Sequence, residues 1–332
     1  MQMIDAQAVH AHLPYAHLIP ALIQAHRADV DARMETVFDQ PSFGSKDGVD
    51  NFLVLPAWQR GRALGAKLAT VFPENERNGS GLPSIHAVVV LFDGADGRPL
   101  GVIDGTALTV RKTAADSGMG ATWLAPAQAE RLLMVGAGAM APHLIQAHLT
   151  ARPTIRKVAI WNRSPERAKS LAGSLNIPSV TVTAIDDLEA AACRADVISC
   201  ATMATDPLIR GAWLKPSTHL DLVGSFRPDM HECDAVALVT GSIFTDSRWM
   251  ALEKGGEIQA ALASGQITPD AVLADAFQLA QGKHPGRRTE DEITVYKNGG
   301  GGHLDVMVAQ ILLDAVNATV NGAVNSTMNS AD

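Results

Sequence analysis

Apolar positions recur at two different periods along this chain, and the change of period divides it. Through residues 1–30, leucines and isoleucines recur at helical spacing, with Pro14 and Pro20 as interruptions, which predicts helix. Residues 33–60 read as strands and turns, METVF and then NFLVLPAW. GRALGAKLATVF at 61–72 follows as a short segment around Lys67. IHAVVVLF at 85–92 is a strand. The turn DGADGRP and the second apolar run LGVIDGTALTV make it half of a hairpin. TAADSGMGATWL at 113–124 reads as a helix.

From there strands and helices alternate. RLLMV at 131–135 leads into a helix ending near 151, and KVAIW at 157–161 into the helix PERAKSLAGSLN, which Pro165 opens. SVTVT, DDLEAAACR, ADVISCAT and HLDLVG continue the series. Such alternation predicts βαβ units and a doubly wound parallel sheet, an α/β architecture. The run Gly299–Gly302 is the one glycine cluster, and a long helical segment from about Leu304 to Val324 follows it.

The first turn of that alternating region carries MVGAGAMA at 134–141, the G-x-G-x-x-A form on Gly136, Gly138 and Ala141. It follows a strand and opens a helix, the context that makes a Rossmann dinucleotide site. The first glycine permits the tight turn, and the second lets the backbone approach a pyrophosphate at the helix N-terminus. A site for NAD wants Asp or Glu at the end of the next strand. Here that position reads Asn162-Arg163-Ser164, with Asn162 26 residues past Gly136. Arg163 and the Ser164 hydroxyl suit a ribose 2′-phosphate, each charge-assisted bond contributing about 1.5–3 kcal/mol. The expected cofactor is therefore NADPH, with NADH bound more weakly.

At 332 residues the chain exceeds the roughly 250–300 at which one core stops growing, so two domains are expected. A net charge of −8 lacks the basic footprint of a nucleic-acid binder. Three cysteines without a C-x-x-C pair suggest neither a disulfide framework nor a zinc site, and point to a reduced, cytoplasmic compartment. The first residues do not read as a signal peptide, and no uninterrupted apolar stretch approaches the ~18 residues of a membrane span. His10, His12 and His17 have no accompanying ligand pattern, so no metal is expected.

Several segments together resemble the ornithine cyclodeaminase/mu-crystallin family over nearly the whole chain. They are LPAW at 55–58, GAKLATVFPEN at 65–75, VLFDGADGRPLGVIDGTALT at 90–109, KTAADS at 112–117, GAGAMA at 136–141 and IWNRSPERA at 160–168. ATDPLIRGAWLKPSTHL at 204–220, VGSFRPDMHE at 223–232 and ITVYKNGG at 293–300 complete the set. The resemblance implies a Rossmann domain at 120–300. It also implies a discontinuous α+β substrate-binding and dimerisation domain made of 1–119 and 301–332, a homodimer, and an active site between the domains. The aspartate used for cyclisation by ornithine cyclodeaminases falls where this chain has Phe226. The resemblance therefore points to NADPH-dependent reduction of a small cyclic imino acid, Δ1-pyrroline-2-carboxylate or its six-membered homologue Δ1-piperideine-2-carboxylate, to L-proline or L-pipecolate. The alternatives are a cyclodeaminase or hydroxyproline dehydratase-type lyase, an alanine or opine-type dehydrogenase, and a non-enzymatic NADPH-binding protein.

The resemblance also implies the site residues. Lys67 stands at the family's active-site lysine. Lys112 occupies the arginine position of its R-T-A-A motif, with Arg111 adjacent. Alternate residues of a strand point to opposite faces, so one of these two is expected to reach the site and contact the substrate carboxylate, and the alignment favours Lys112. Where the family has an arginine after an early proline, this chain has Gln40-Pro41-Ser42-Phe43, which suits a small apolar ring. Ala137, Ala139 and Met140 in the glycine loop, Thr202, Met203, Val223, Ser225 and Asn298 match cofactor positions. Asp305 follows the glycine run, where the family often has an acid. His303 is a candidate proton donor, although a lone histidine is usually structural. The glycine run itself reads equally as a close backbone approach to the nicotinamide or substrate or as a flexible turn.

Overall fold

The computed structural model describes residues 1–32, 35–42, 48–76 and 79–329; Phe43 lies outside them. The chain divides into two units, Met1–Lys112 with Gly301–Asp332, and Thr113–Gly300. The first crossing falls at 112/113, where the sequence suggests 119/120, and the second falls within the glycine run.

The first unit opens with β1 (Gln2–Ile4), α1 (Ala6–His12) and α2 (Tyr15–Ala25). Asp5 caps α1 by accepting from the Ala8 amide at 2.8 Å, and Pro14 separates the two helices. Six further strands follow: β2 (Asp31–Ala32), β3 (Thr36–Pro41), β4 (Val49–Gln59), β5 (Ala63–Val71), β6 (Ile85–Asp93) and β7 (Pro99–Asp104). The sheet order is β1-β7-β6-β5-β4-β2, with β3 paired to β4. Strands β4 to β7 pair antiparallel with one another, β1 pairs parallel with β7, and this register sets Lys67 of β5 between Leu55 and Val89.

One expectation fails here. The second hairpin strand was expected to run on through TALTV, but β7 stops at Asp104 and α3 (Gly105–Leu124) begins. The Asp104 carboxylate accepts from the Ala107 amide at 2.8 Å, an N-cap that outweighs the strand-like composition after it. Thr109 Oγ1 donates to the Gly105 carbonyl one turn back at 2.7 Å, so this β-branched residue joins the helix. Arg111 and Lys112 therefore stand about 100° apart on a helix, not on opposite faces of a strand.

The second unit contains β8 (Arg131–Val135), α4 (Ala141–Ala151), β9 (Lys157–Trp161), α5 (Pro165–Ser174), β10 (Thr181–Ala184), α6 (Leu188–Ala192), β11 (Val197–Cys200) and β12 (His219–Leu222). It continues with α7 (Ala235–Thr240), β13 (Ser242–Thr245), α8 (Arg248–Lys254), α9 (Gly256–Ala263), β14 (Val272–Asp275), α10 (Ala276–Ala280) and β15 (Thr294–Lys297). The sheet order is β10-β9-β8-β11-β12-β15-β13-β14, and its described pairings are parallel. Strand order reverses between β8 and β11, the switch point where doubly wound sheets bind ligands. Leu133, Val135, Ile198, Leu220, Leu222, Ile243 and Val295 fill one core on this sheet. The elements from α7 to α10 have no counterpart in the sequence reading, because helices of 5–8 residues complete too few turns to show a period.

After Gly301 the chain re-enters the first unit as α11 (Gly302–Asn329), which packs on β4, β5, β6 and α2 and buries Leu304, Val306, Met307, Val308 and Leu312. Its stretch Gly302–Val320 is long and apolar enough to cross a bilayer, and half of the apolar window is buried inside the protein.

Candidate active site

In the second unit, the carboxyl ends of the parallel strands carry every residue expected to hold a dinucleotide. Gly136 follows β8 with φ +111°, and a Cβ there would stand 2.5 Å from the Ala201 carbonyl oxygen, so glycine is required. Gly138 has φ outside that region, and a Cβ on it would meet nothing within 4 Å. Gly138 and Ala139 are exposed, Ala137 and Met140 half-buried, and Met140 is the N-cap position of α4. An open backbone cradle at a helix start is what a pyrophosphate needs, so the loop fits the group.

Asn162, at the end of β9, locks this loop. Its Oδ1 accepts from the Ala137 amide at 3.1 Å, and its Nδ2 donates to the Ser164 carbonyl at 3.0 Å. Arg163 and Ser164 are exposed beside it. Thr202 and Met203 follow β11, with Met203 exposed. Val223 follows β12 and donates its amide to the Cys200 carbonyl at 2.9 Å. Ser225 is buried, and its hydroxyl is fully used: it donates to the Met230 carbonyl at 2.7 Å and accepts from the Gly256 amide at 3.0 Å. Asn298, after β15, donates to the Thr113 carbonyl and to Ser117 Oγ, both at 2.9 Å. Phe226 lies exposed on the loop after β12.

Three buried groups in this unit were not singled out from sequence. The Lys297 ammonium is fully buried, 3.1 Å from Glu257 Oε1 and donating to the Ser225 carbonyl at 2.6 Å. Glu232 is also fully buried. Asp246, buried behind the glycine run, accepts from the Ser247 amide at 2.6 Å, from Thr245 Oγ1 at 3.0 Å, and from the amides of Gly299 and Gly300. Burial pushes the Asp246 carboxyl up to about 6 against these bonds. The available signal was a lysine closing a short β-prone strand, Lys297 after TVY, because lysine is almost never fully buried without a partner.

In the first unit, a different cluster forms. Asp305, near the start of α11, is fully buried with two lysines on its carboxylate. Lys112 Nζ lies 2.6 Å from Oδ1 and also donates to the Gly301 carbonyl at 3.1 Å. Lys67 Nζ lies 3.3 Å from Oδ2. The Lys67 side chain keeps 13% exposure against 3% for Lys112. Arg111 does not join them: its guanidinium stacks 4.9 Å from the Tyr15 ring centre and donates to His10 Nδ1 at 3.0 Å and the His10 carbonyl at 3.3 Å.

His303 is fully buried, its ring edge-to-face with His26 at 6.1 Å. Burial, then His26 and Lys112, push it well below the ordinary histidine range. A ring held neutral in this way is a poor general acid, which weighs against the proton-donor role left open by the sequence. The glycines of the run lie close against atoms of this chain. A Cβ on Gly299 would stand 3.2 Å from Asp246 Oδ1, and one on Gly302 would stand 2.8 Å from the Leu55 carbonyl oxygen. Gly300 and Gly301 have φ of +71° and +134°. Among the described residues no group of three metal-ligating side chains is present.

Residues 2–319 match the ornithine cyclodeaminase/mu-crystallin family. A Delta(1)-pyrroline-2-carboxylate reductase of Paracoccus denitrificans is 40% identical over 300 residues, covering 90% of this chain and 92% of its own. Among solved structures, the Thermococcus litoralis Delta(1)-pyrroline-2-carboxylate reductase in complex with NADH and L-proline aligns with a TM-score of 0.86 at 23% identity, over 96% of this chain and 98% of that one. An archaeal alanine dehydrogenase dimer with bound NAD aligns with a TM-score of 0.85 at 24% identity, over 96% of each chain.

Proposed function

The chain belongs to the ornithine cyclodeaminase/mu-crystallin family, and from that premise we propose that it reduces small cyclic imino acids with a reduced nicotinamide cofactor, NADPH in preference to NADH. The substrate class is Δ1-pyrroline-2-carboxylate and Δ1-piperideine-2-carboxylate, the products L-proline and L-pipecolate. Support for the class comes from the 40% identity to a Delta(1)-pyrroline-2-carboxylate reductase across 90% of the chain.

The observation that carries the reading is the Lys67–Asp305–Lys112 cluster. Two ammonium groups around one carboxylate leave one net positive charge, matched to a substrate with a single carboxylate. Lys112 is spent on Asp305 and the Gly301 carbonyl, so Lys67 is the cation that receives the substrate carboxylate. The carboxylate thereby fixes the orientation of the imine ring. When bound, the reduced nicotinamide supplies the hydride for the imine carbon. Gly136–Met140 and Asn162 hold the dinucleotide, Arg163 and Ser164 take its 2′-phosphate, and Thr202, Met203, Val223 and Asn298 line its nicotinamide end. Ser225 supports that end through the backbone.

The protein acts as a homodimer. Phe38 and Phe52 are exposed and stacked at 6.0 Å on one face of β3 and β4, Val37 and Val49 are exposed on the other, and these apolar positions suit a second copy. Light scattering on the purified protein tests this, and a monomer would overturn it. The unpaired thiols of Cys193, Cys200 and Cys233 support a reduced, cytoplasmic location.

The test is NADPH oxidation over a panel of substrates. Turnover with the two imino acids is expected. Ornithine consumption without net NADPH use, ammonia-dependent reduction of pyruvate, or retained cofactor without any turnover would each overturn the reading in favour of a lyase, a dehydrogenase or a binding protein.

A further inference from the structure

Glu232 joins the two loops that leave β11 and β12. Its Oε1 accepts from the Thr202 amide at 2.7 Å and from Thr202 Oγ1 at 2.9 Å, while its Oε2 accepts from the Gly224 amide at 2.6 Å. Thr202 and Gly224 flank Met203, Val223 and Ser225, the positions read above as the nicotinamide end. The loops can meet this closely because Gly224 has no side chain: a Cβ there would stand 2.0 Å from the Thr202 carbonyl oxygen.

We propose that Glu232 is a positioning residue for the cofactor, whose ionised carboxylate latches the β11 and β12 loops into their binding shape and whose protonation releases them. The proposal rests on the cofactor reading of those loops. The carboxylate accepts all three bonds with no proton of its own in the way. The protonated acid carries an O–H on one oxygen, so an N–H donor loses its acceptor or the loop shifts to accommodate the proton.

The latch sits where its proton is exchangeable near neutrality. Burial pushes Glu232 up to about 7. Lys297 from β15 opposes that shift, Glu257 from α9 adds to it, and the Thr202 bonds oppose it. The other titratable neighbours are the Cys200 and Cys233 thiols, both pushed up and hence neutral, and Asp234, which caps α7. His231 next in sequence is half-buried and donates Nδ1 to the Thr205 carbonyl at 3.1 Å. Two buried carboxylates thus share one buried lysine, and the trio takes up a proton as pH falls. The raised value means that protonation by itself favours the fold, a contribution present at low pH and lost as pH rises through about 7. Cofactor affinity moves the other way, so its loss at low pH is not a sign of unfolding at this residue.

The experiment follows NADH fluorescence on binding to the full chain, from about pH 5.5 to 8.5. NADH is the probe because it lacks the 2′-phosphate, a monoester that itself titrates near 6. The dissociation constant of the wild type is expected to be about tenfold larger at pH 6 than at pH 8. Glu232→Gln, an analogue of the protonated acid, is expected to bind at the weak limit with a flat profile. Glu257→Gln removes the neighbouring like charge and is expected to move the wild-type midpoint to lower pH. A wild type that binds neither NADH nor NADPH at any pH would overturn the cofactor reading and this inference together. A wild type that binds NADH with a flat profile, a Glu232→Gln protein that keeps the wild-type pH dependence, or a Glu257→Gln midpoint that stays or rises would overturn this inference alone.

Discussion

Asp305 Oδ1 lies 2.6 Å from Lys112 Nζ, and both groups are buried. The other oxygen of the same carboxylate faces Lys67, which keeps contact with solvent. One acid therefore divides two chemically identical amines into a structural one and an available one.

This division predicts different phenotypes. Lys112→Met strips a buried carboxylate of its closest partner and should destabilise the fold by about 3–5 kcal/mol in urea or guanidinium titration. Lys67→Met should leave the denaturation midpoint nearly unchanged and lower kcat/KM for the imino acid by roughly a hundredfold, the loss of one charge-assisted contact to substrate. Equal stability losses in the two variants would contradict the assignment.

The two motif glycines should also separate. Gly136→Ala forces a side chain onto a backbone at φ +111° and against the Ala201 carbonyl at 2.5 Å, so thermal stability should fall by several degrees together with cofactor binding. Gly138→Ala meets no neighbour within 4 Å, so its melting temperature should hold while the cofactor dissociation constant rises at least about tenfold, since the methyl fills the space meant for the pyrophosphate. Melting curves with and without added NADPH distinguish the cases.

Arg163 is exposed at the end of β9, where an NAD site would carry an acid. Arg163→Ala should raise the KM for NADPH by about tenfold or more and leave the KM for NADH within about twofold. Parallel changes for both cofactors would remove the 2′-phosphate assignment.

His26 gives the fold an acid limit. Burial pushes it down to about 4, against the bond it donates from Nδ1 to the Leu22 carbonyl at 2.8 Å. The folded ring stays neutral while an unfolded chain takes up a proton below about 6.5, so stability present above that pH is lost as pH falls toward 4, by roughly 3 kcal/mol. Urea midpoints measured at intervals between pH 7 and 4 should fall for the wild type, and the fall should be shallower for His26→Phe.

The parallel sheet was legible in the sequence because strands buried on both faces, such as RLLMV and KVAIW, read as continuous apolar runs. The glycine loop was legible because its context on a strand and a helix removes the ambiguity of the motif. The choice between Arg111 and Lys112 was not, since it depends on Asp104 capping a helix inside a strand-like stretch. Glu232, Glu257 and Lys297 are equally invisible in one dimension. They come from three separate elements, and only the fold makes them a charge cluster. The glycine run could be seen but not interpreted, because its reasons are the carboxylate of Asp246 and the carbonyl of Leu55, far away along the chain.

The interrupted first unit sets an order of assembly during synthesis. The whole of 113–300 leaves the ribosome before α11 exists. The parallel sheet can therefore close as a nascent domain while Lys67 and Lys112 still wait for their acid. Until Asp305 emerges, Lys67 and Lys112 lack its carboxylate and β4, β5 and β6 lack the helix that covers them. Premature termination between β15 and α11 would then yield a chain with a dinucleotide fold and an uncovered first-unit sheet, a species that quality-control proteases should recognise by that bare sheet.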